Sequence, residues 1–484
     1  MRGRFVGREH ELTQLRGLRD RKIASLAVIK GRRRIGKSRL IEEFAKDDGI
    51  DFLRFSGIPA TQNTTAQDQR DEFARQIGRI FKVPTPYAQD WGDLFWHLSH
   101  NIEHMKPKKR IVILFDEISW MGMKDPTFLG KLKTAWDMWF QQNPKVILIL
   151  CGSVSSWIEK NILKNTGFVG RIDLVFTIEE LSIPESLEMF GKLGENMSDR
   201  EAFKILSVTG GVPRYLELID PRYSAEENIK QLCFLREGYL FREFETIFHD
   251  LFSGRSTIYQ NILEGLIKNP HASLDDIFEY LNRKKTGVLI EYFDDLIQAG
   301  FVSRDHTWNL RDGRPSSLSH FRISDNYVRF YLKYLAHNKA KIEKNFYQDR
   351  SLATLPGWET IMGLQFENLV IKNRRNLFKA LRLDPSEIIS DGPYFQRKTA
   401  KHQGCQIDYM IQGRYNSYYI CEIKFSSNPV GVQVANEVGQ KIKTLNLPKG
   451  ASCRPVLIHV NGVEDNLIGE EIFAHFVDFK VMAS

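Results

Sequence analysis

The chain's 484 residues are too many for one hydrophobic core, so roughly two to four domains are expected. The composition, 42% hydrophobic and 26% charged, is that of a globular protein, and no apolar run approaches the ~20 residues that would cross a bilayer, which excludes a helical membrane protein. A net charge of +8 tilts the partners toward polyanions without requiring one. The opening segment MRGRFVGREHEL has no apolar stretch suited to secretion, and Cys151, Cys233, Cys405, Cys421 and Cys453 are widely spaced with no CxxC pair. Reduced thiols in a cytoplasmic protein are the expectation.

From residue 23 to about 177, short apolar runs alternate with helical stretches: IASLAVIKG, DFLRFSG, RIVILFDE, KVILILCGS and RIDLVFTIEEL. Continuous apolar strands separated by helices predict a parallel sheet covered on both faces. In AVIKGRRRIGKSRLIEEF, Gly31, Gly36, Lys37 and Ser38 have the spacing GxxxxGK[ST], with a strand running in and an amphipathic helix running out. Glycines let the backbone wrap phosphates, Lys37 reaches the β- and γ-phosphates of ATP, and the Ser38 hydroxyl is suited to Mg²⁺. Further on, Asp116 and Glu117 stand where the apolar run RIVILF stops, at the strand end where α/β sheets bind ligands. Asp116 is suited to hold Mg²⁺ through water and Glu117 to polarise the attacking water; by themselves the two acids would read as a helix cap.

Six stretches, in order, carry a family resemblance: FVGREHELTQL, the phosphate loop, ILFDEI, LCGSVSSW, VGRIDLVFTIEELS and GGVPRYL. Residues 4–335 resemble the archaeal-type ATPases, a P-loop group allied to the AAA+ and STAND ATPases. The resemblance implies that Phe5, Val6 and Gly7 lie beside the adenine, with Pro213 closing the other side. It also implies that Ser153 is a sensor, that Arg171 meets the γ-phosphate, and that the ATPase self-assembles. Arg171 pairing with a surface acid is the alternative, as are Pro213 as a helix breaker and Ser153 as a helix cap.

From 181 to about 250 the pattern is helical. Three helical patterns over 255–298 follow, and then GFVSRDHTWNL and LSHFRISDNYVRF, joined by the turn-rich RDGRPSS, predict a winged helix. Arg283, Lys284, Lys285 and Thr286 open the third helix, a placement that suits DNA, while a protein-docking use stays open. The polar stretch 336–345 reads as a linker.

In the last α/β segment, CQIDYMIQG and YYICEIKF are strands joined by a turn, which brings Asp408 near Glu422 and Lys424. On a strand, Glu422 and Lys424 share one face. Two acids and a lysine at one strand edge invite a divalent cation, and Mg²⁺ commonly takes one or two carboxylates. The spacing D-x13-E-x-K resembles the PD-(D/E)xK nucleases, with Ile407 where that pattern usually has proline. The resemblance adds Glu367 from a helix and Gln433 from a second helix, and it implies Mg²⁺-dependent DNA cleavage. The basic stretches 372–376 and 397–401 flank the site and could hold a phosphate backbone.

The expected architecture is α/β and multidomain. It comprises a parallel-sheet P-loop ATPase core (1–180), a helical lid (181–252), a winged helix (253–335) and a restriction-endonuclease-like α/β domain (346–484). The expected function is ATP hydrolysis coupled to an Mg²⁺-dependent nuclease acting on DNA. The alternative is a nucleotide-switched DNA- or protein-binding ATPase whose nuclease-like domain is inactive.

Overall fold

The apolar runs of the first half become strands: β1 (Ser25–Lys30), β3 (Arg110–Asp116) and β4 (Val146–Gly152) are buried on both faces, while β2 (Ile50–Ser56) at one edge and the short β5 (Leu174–Thr177) at the other are partly exposed. They pair in parallel in the order β2-β3-β4-β1-β5. Alternate residues serve two cores. Leu26, Val28, Ile113, Phe115, Leu148 and Leu150 face one, while Ala27, Ile29, Val112, Leu114, Ile147 and Ile149 face the other. A strand wedged between two cores has no polar side to show, which is why these runs read as continuous apolar segments.

The structure, a computed structural model, describes residues 4–483 except 62, 107, 108, 253–255, 285 and 401. The described residues divide into two compact units, one built from 1–180, 247–256 and 294–300 and the other from 181–246, 257–293 and 301–484. The first contains the parallel sheet.

In the second unit, the helices Asp199–Thr209 and Ala225–Cys233 begin at the caps Ser198 and Ser224, whose side chains accept amides of the first turn. The chain later runs through helices Ser256–Lys268, Leu274–Tyr280 and Gly287–Gln298 into an antiparallel pair, β6 (Val302–Trp308) and β7 (Pro315–Ile323). The last sheet is mixed. β8 (Ile388–Gln396), β9 (Cys405–Gly413) and β10 (Ser417–Lys424) are antiparallel, and β10, β11 (Ser452–His459) and β12 (His475–Asp478) are parallel.

Three features depart from the sequence-based expectations. The third helix of the 255–298 segment starts at Gly287, so Arg283 and Lys284 precede it as exposed loop residues; Lys285 lies outside the described residues. The stretch 336–345 is not a free linker, because Ile342 is fully buried in the short helix Lys339–Glu343 and the Lys339 ammonium pairs with Glu245. Strands β8 and β12 were not foreseen.

The hairpin and the last sheet share a core. Trp308 and Leu310 pack with Tyr394, Ile407, Met410 and Tyr418. The Trp308 indole donates to Gln412 Oε1 at 2.7 Å, the Gln412 amide donates to the Leu310 carbonyl at 3.0 Å, and the Tyr418 hydroxyl donates to that same carbonyl. Among the described residues no helix is long and apolar enough to cross a membrane.

Candidate nucleotide site and carboxylate cluster

The loop after β1 is shaped by its glycines. Gly31 has φ 149°, and a Cβ there would stand 2.5 Å from the Ile178 carbonyl oxygen, so backbone and neighbour approach too closely for any side chain. Gly36, at φ 92°, turns the chain into the helix Lys37–Phe44. The buried Lys37 ammonium lies over the loop, donating to the carbonyls of Gly31 and Arg32, both at 2.9 Å. At the start of the same helix the Ser38 hydroxyl donates to Asp116 Oδ2 at 2.9 Å. Two residues 78 positions apart in sequence, one from the helix after β1 and the other from β3, strands with β4 between them, therefore meet where β3 ends. A hydroxyl and a carboxylate converging beside a phosphate-binding loop are the donors that Mg²⁺ takes in such sites, so Ser38 and Asp116 fit that ion. Bound there, Mg²⁺ would offset phosphate charge.

Glu117 follows directly, in the left-handed conformation (φ 52°), which a glutamate adopts only where its surroundings hold it. Its Oε2 accepts the Ser153 hydroxyl at 2.9 Å and the Ser153 amide at 3.2 Å. The expected base and the expected sensor are thus in contact, one from the end of β3 and the other from just after β4. Arg54 on β2 was not anticipated. It donates to Asp116 Oδ2 at 2.7 Å and to Glu42 Oε1 at 2.8 Å, placing a guanidinium on the carboxylate expected to face the metal. Its position was legible only in part: the strand alternates Leu53, Arg54, Phe55, which turns Arg54 away from the core.

The segment from Phe5 lies against the same loop. Phe5 packs on the core around Ala27 and Ile29, Val6 is buried, Gly7 has φ 67°, and Arg8 donates to the carbonyls of Ile35 at 3.4 Å and Glu179 at 2.5 Å. Arg171 has a different partner from the one expected. Its guanidinium grips Asp137 with two bonds, at 2.7 and 3.0 Å, and together with Lys133 it holds that carboxyl down at about 2. A bidentate pair satisfies the fork locally, which matches the acid-pairing alternative, with Asp137 supplied by the helix Phe128–Met138. Pro213 opens the short helix Pro213–Leu216 of the second unit, where a proline at the first helical position forfeits no hydrogen bond.

The second cluster lies on the mixed sheet. The register pairs Cys421 with Tyr409, so Glu422 and Asp408 stand one step beyond, on one face. They meet a residue that the sequence reading overlooked, Lys441 on the helix Gln433–Thr444. Its ammonium lies 2.5 Å from Glu422 Oε2 and 3.7 Å from Asp408 Oδ1. The other oxygens are also engaged: Asp408 Oδ2 accepts the Ile423 amide at 2.9 Å, and Glu422 Oε1 pairs with Lys424 at 3.0 Å. Lys424 reaches Glu437 at 3.0 Å as well. Gln433, expected to face this site, is exposed at the start of the helix. Lys441 follows Glu437 by four residues and flanks the buried stripe of Val434, Ala435 and Val438, a signal available in the sequence.

Electrostatics agree with crowding. Burial, then the Glu422 charge, raises Asp408 to about 6. Burial, then Asp408, raises Glu367 to about 8. Burial works against the charged forms of Lys441 and Lys424, yet the acids outweigh it and both ammonium groups are held above their ordinary range. Glu367, on the helix Trp358–Lys372, lies 3.6 Å from His271, which burial and the Arg322 charge lower to about 4. At neutral pH the carboxyl therefore keeps its proton and the imidazole stays neutral, so this contact is not an ion pair.

A resident divalent cation does not fit the arrangement. Asp408 Oδ1 and Glu422 Oε2, the oxygens that would bind it, face the Lys441 ammonium instead, and among the described residues no group of three or more His, Cys, Asp and Glu is placed to hold a metal. The metal expected at Asp408 and Glu422 thus meets an ammonium group already in place.

Residues 5–219 match the family described as an ATPase domain predominantly from Archaea. An uncharacterized protein of Methanocaldococcus jannaschii is 25% identical over 407 residues, covering 84% of this chain and 83% of that protein. Among solved structures, a Walker-type ATPase of Pyrococcus abyssi is 17% identical with a TM-score of 0.48, covering 68% of this chain and 96% of its own. The ORC2 protein of Aeropyrum pernix, in ADPNP–ADP complexes, is 13% identical with a TM-score of 0.43, covering 69% and 94%. With its parallel sheet, glycine-shaped loop and paired Ser38 and Asp116, the segment 5–219 has a P-loop ATPase fold and is similar to the ATPase domains found predominantly in Archaea.

Proposed function

We propose that this protein binds and hydrolyses ATP with Mg²⁺ at the loop Gly31–Ser38, and that nucleotide state governs a carboxyl-terminal part that engages DNA. The observation that carries the first half is the 2.9 Å contact of Ser38 with Asp116 beside the buried Lys37. Asp116 and Ser38 hold the ion, Lys37 meets the phosphates, and Glu117 orients the attacking water once Ser153 positions it. Phosphate release measured with Mg²⁺ and ATP tests this reading. Wild type should turn over and Lys37→Ala should not; equal turnover by both would refute it.

For the carboxyl-terminal part, two uses compete. Cleavage is favoured by Asp408, Glu422 and Lys424 gathering on the adjacent strands β9 and β10 in a PD-(D/E)xK-like spacing. Binding without cleavage is favoured by Lys441, which already neutralises the acid pair, and we adopt that reading. The three helices and hairpin of 256–323 are read as a winged helix. The exposed Arg374, Arg375, Arg397 and Lys398 supply charge for a phosphate backbone, while Lys401 of the same basic stretch lies outside the described residues. Incubating plasmid with the protein and Mg²⁺ or Mn²⁺, with and without ATP, should give a salt-sensitive mobility shift and intact DNA. Strand scission abolished by Asp408→Asn would reinstate the nuclease.

A further inference from the structure

The acid pair of the mixed sheet poses a problem that its own helix solves. Glu422 is 2% exposed, and Asp408 stands beside it with side-chain exposure of 14%. Two carboxylates so placed repel each other and lose hydration, and burial of such a pair demands a cation. The cation present is the Lys441 ammonium, at 2.5 Å from one acid and 3.7 Å from the other. A divalent ion would need these same two oxygens at about 2.0–2.6 Å. Ammonium and metal therefore exclude each other.

We propose that Lys441 takes the place of the divalent cation that the D-x13-E-x-K pattern calls for, so that this acid pair is complete without metal. The lysine is not sealed in. Together with Asp408, Gln440 and Thr444 it lines an open cavity of about 380 Å³, so a cation in solution has access to the pair and competes with the ammonium directly. The competition favours Lys441 because it is covalently tethered one helix away, whereas a free ion must give up part of its hydration shell and dehydrates reluctantly. Lys424 does not fill this role, since it sits on the far oxygen of Glu422 and is shared with Glu437. The pattern thus keeps its acids and its strand lysine while a helix lysine closes the centre. This inference depends on neither ATP turnover nor DNA binding.

Mn²⁺ is the probe, with free ion counted by electron paramagnetic resonance on the full chain without nucleotide. Wild type and Asp408→Asn should give the same titration, because the pair holds no ion in either. Lys441→Met should gain one Mn²⁺ per chain, and Lys441→Met combined with Asp408→Asn should lose it again. An Mn²⁺ site in wild type that Asp408→Asn removes would overturn the proposal. So would a folded Lys441→Met, or the better-solvated Lys441→Gln, that gains none. The comparison of wild type with Asp408→Asn requires no change at Lys441, so it decides the matter even where both lysine variants fail to fold.

Discussion

Glu117 and Ser153 share two hydrogen bonds at the carboxyl ends of β3 and β4, with the serine hydroxyl and amide both donating to one carboxylate oxygen. A carboxylate held this way is oriented before any water reaches it. Glu117→Gln should keep nucleotide affinity and lose about 10²–10⁴-fold in turnover, the usual worth of a general base. Ser153→Ala should lower kcat by roughly tenfold, one hydrogen bond's worth, with KM unchanged. Phosphate release paired with fluorescent-nucleotide titration separates the two effects.

Arg54 sits on the carboxylate that Mg²⁺ needs. Like charges compete for Asp116, so Arg54→Gln should lower the Mg²⁺ concentration that gives half-maximal nucleotide binding, and Arg54→Lys should fall between. Titrating Mg²⁺ at fixed fluorescent ADP measures it. An unchanged or higher Mg²⁺ requirement would show that the contact with Asp116 does not oppose the ion.

Arg171 is tied to Asp137, and a solvent-screened surface pair of this kind contributes little to stability. Arg171→Ala should therefore leave ATP turnover within about twofold and stability nearly unchanged. A collapse in kcat would return the residue to the γ-phosphate role that its place in VGRIDLVF suggested.

The buried acids make stability depend on pH with a definite sign. Glu367 is raised from 4.5 to about 8, so the native state keeps a proton that the unfolded chain gives up. That contribution is complete below pH 4.5 and is lost as pH rises through about 8. Asp408 acts with the same sign between 3.8 and about 6, whereas His271 acts oppositely between 6.5 and about 4. From pH 6.5 to pH 8 Glu367 dominates the change among these three, since Asp408 and His271 are by then completing their own transitions. Over that window wild type should lose about 1–2 kcal/mol relative to Glu367→Gln, read from urea midpoints of the second unit. Parallel curves for the two proteins would mean that Glu367 is ionised throughout.

The nucleotide site was legible because its chemistry is local. Gly31, Gly36, Lys37 and Ser38 fall within one turn and one helix start, and Asp116 and Glu117 mark themselves by ending an apolar run. The carboxylate cluster was half legible. Strand alternation put Glu422 and Lys424 on one face and the hairpin register brought Asp408 alongside, but Lys441 arrives from a helix whose docking angle no spacing encodes. For Arg171 the acid partner was foreseen only as an alternative and could not be named, because Asp137 lies 34 residues away in sequence. β8 was missed because Gly392 and Pro393 interrupt it, and it tolerates them as the edge strand next to β9.

Trp308 and Leu310 are rooted in the sheet that follows them in sequence, across a join made of ring packing and buried amide bonds. Proteolytic nicking within 336–345 should therefore leave both fragments associated, and expressing the final 139 residues by themselves (346–484) should expose an apolar scar where the indole had been. The smallest excisable carboxyl-terminal piece begins ahead of β6, upstream of the polar stretch that looks like the natural place to cut.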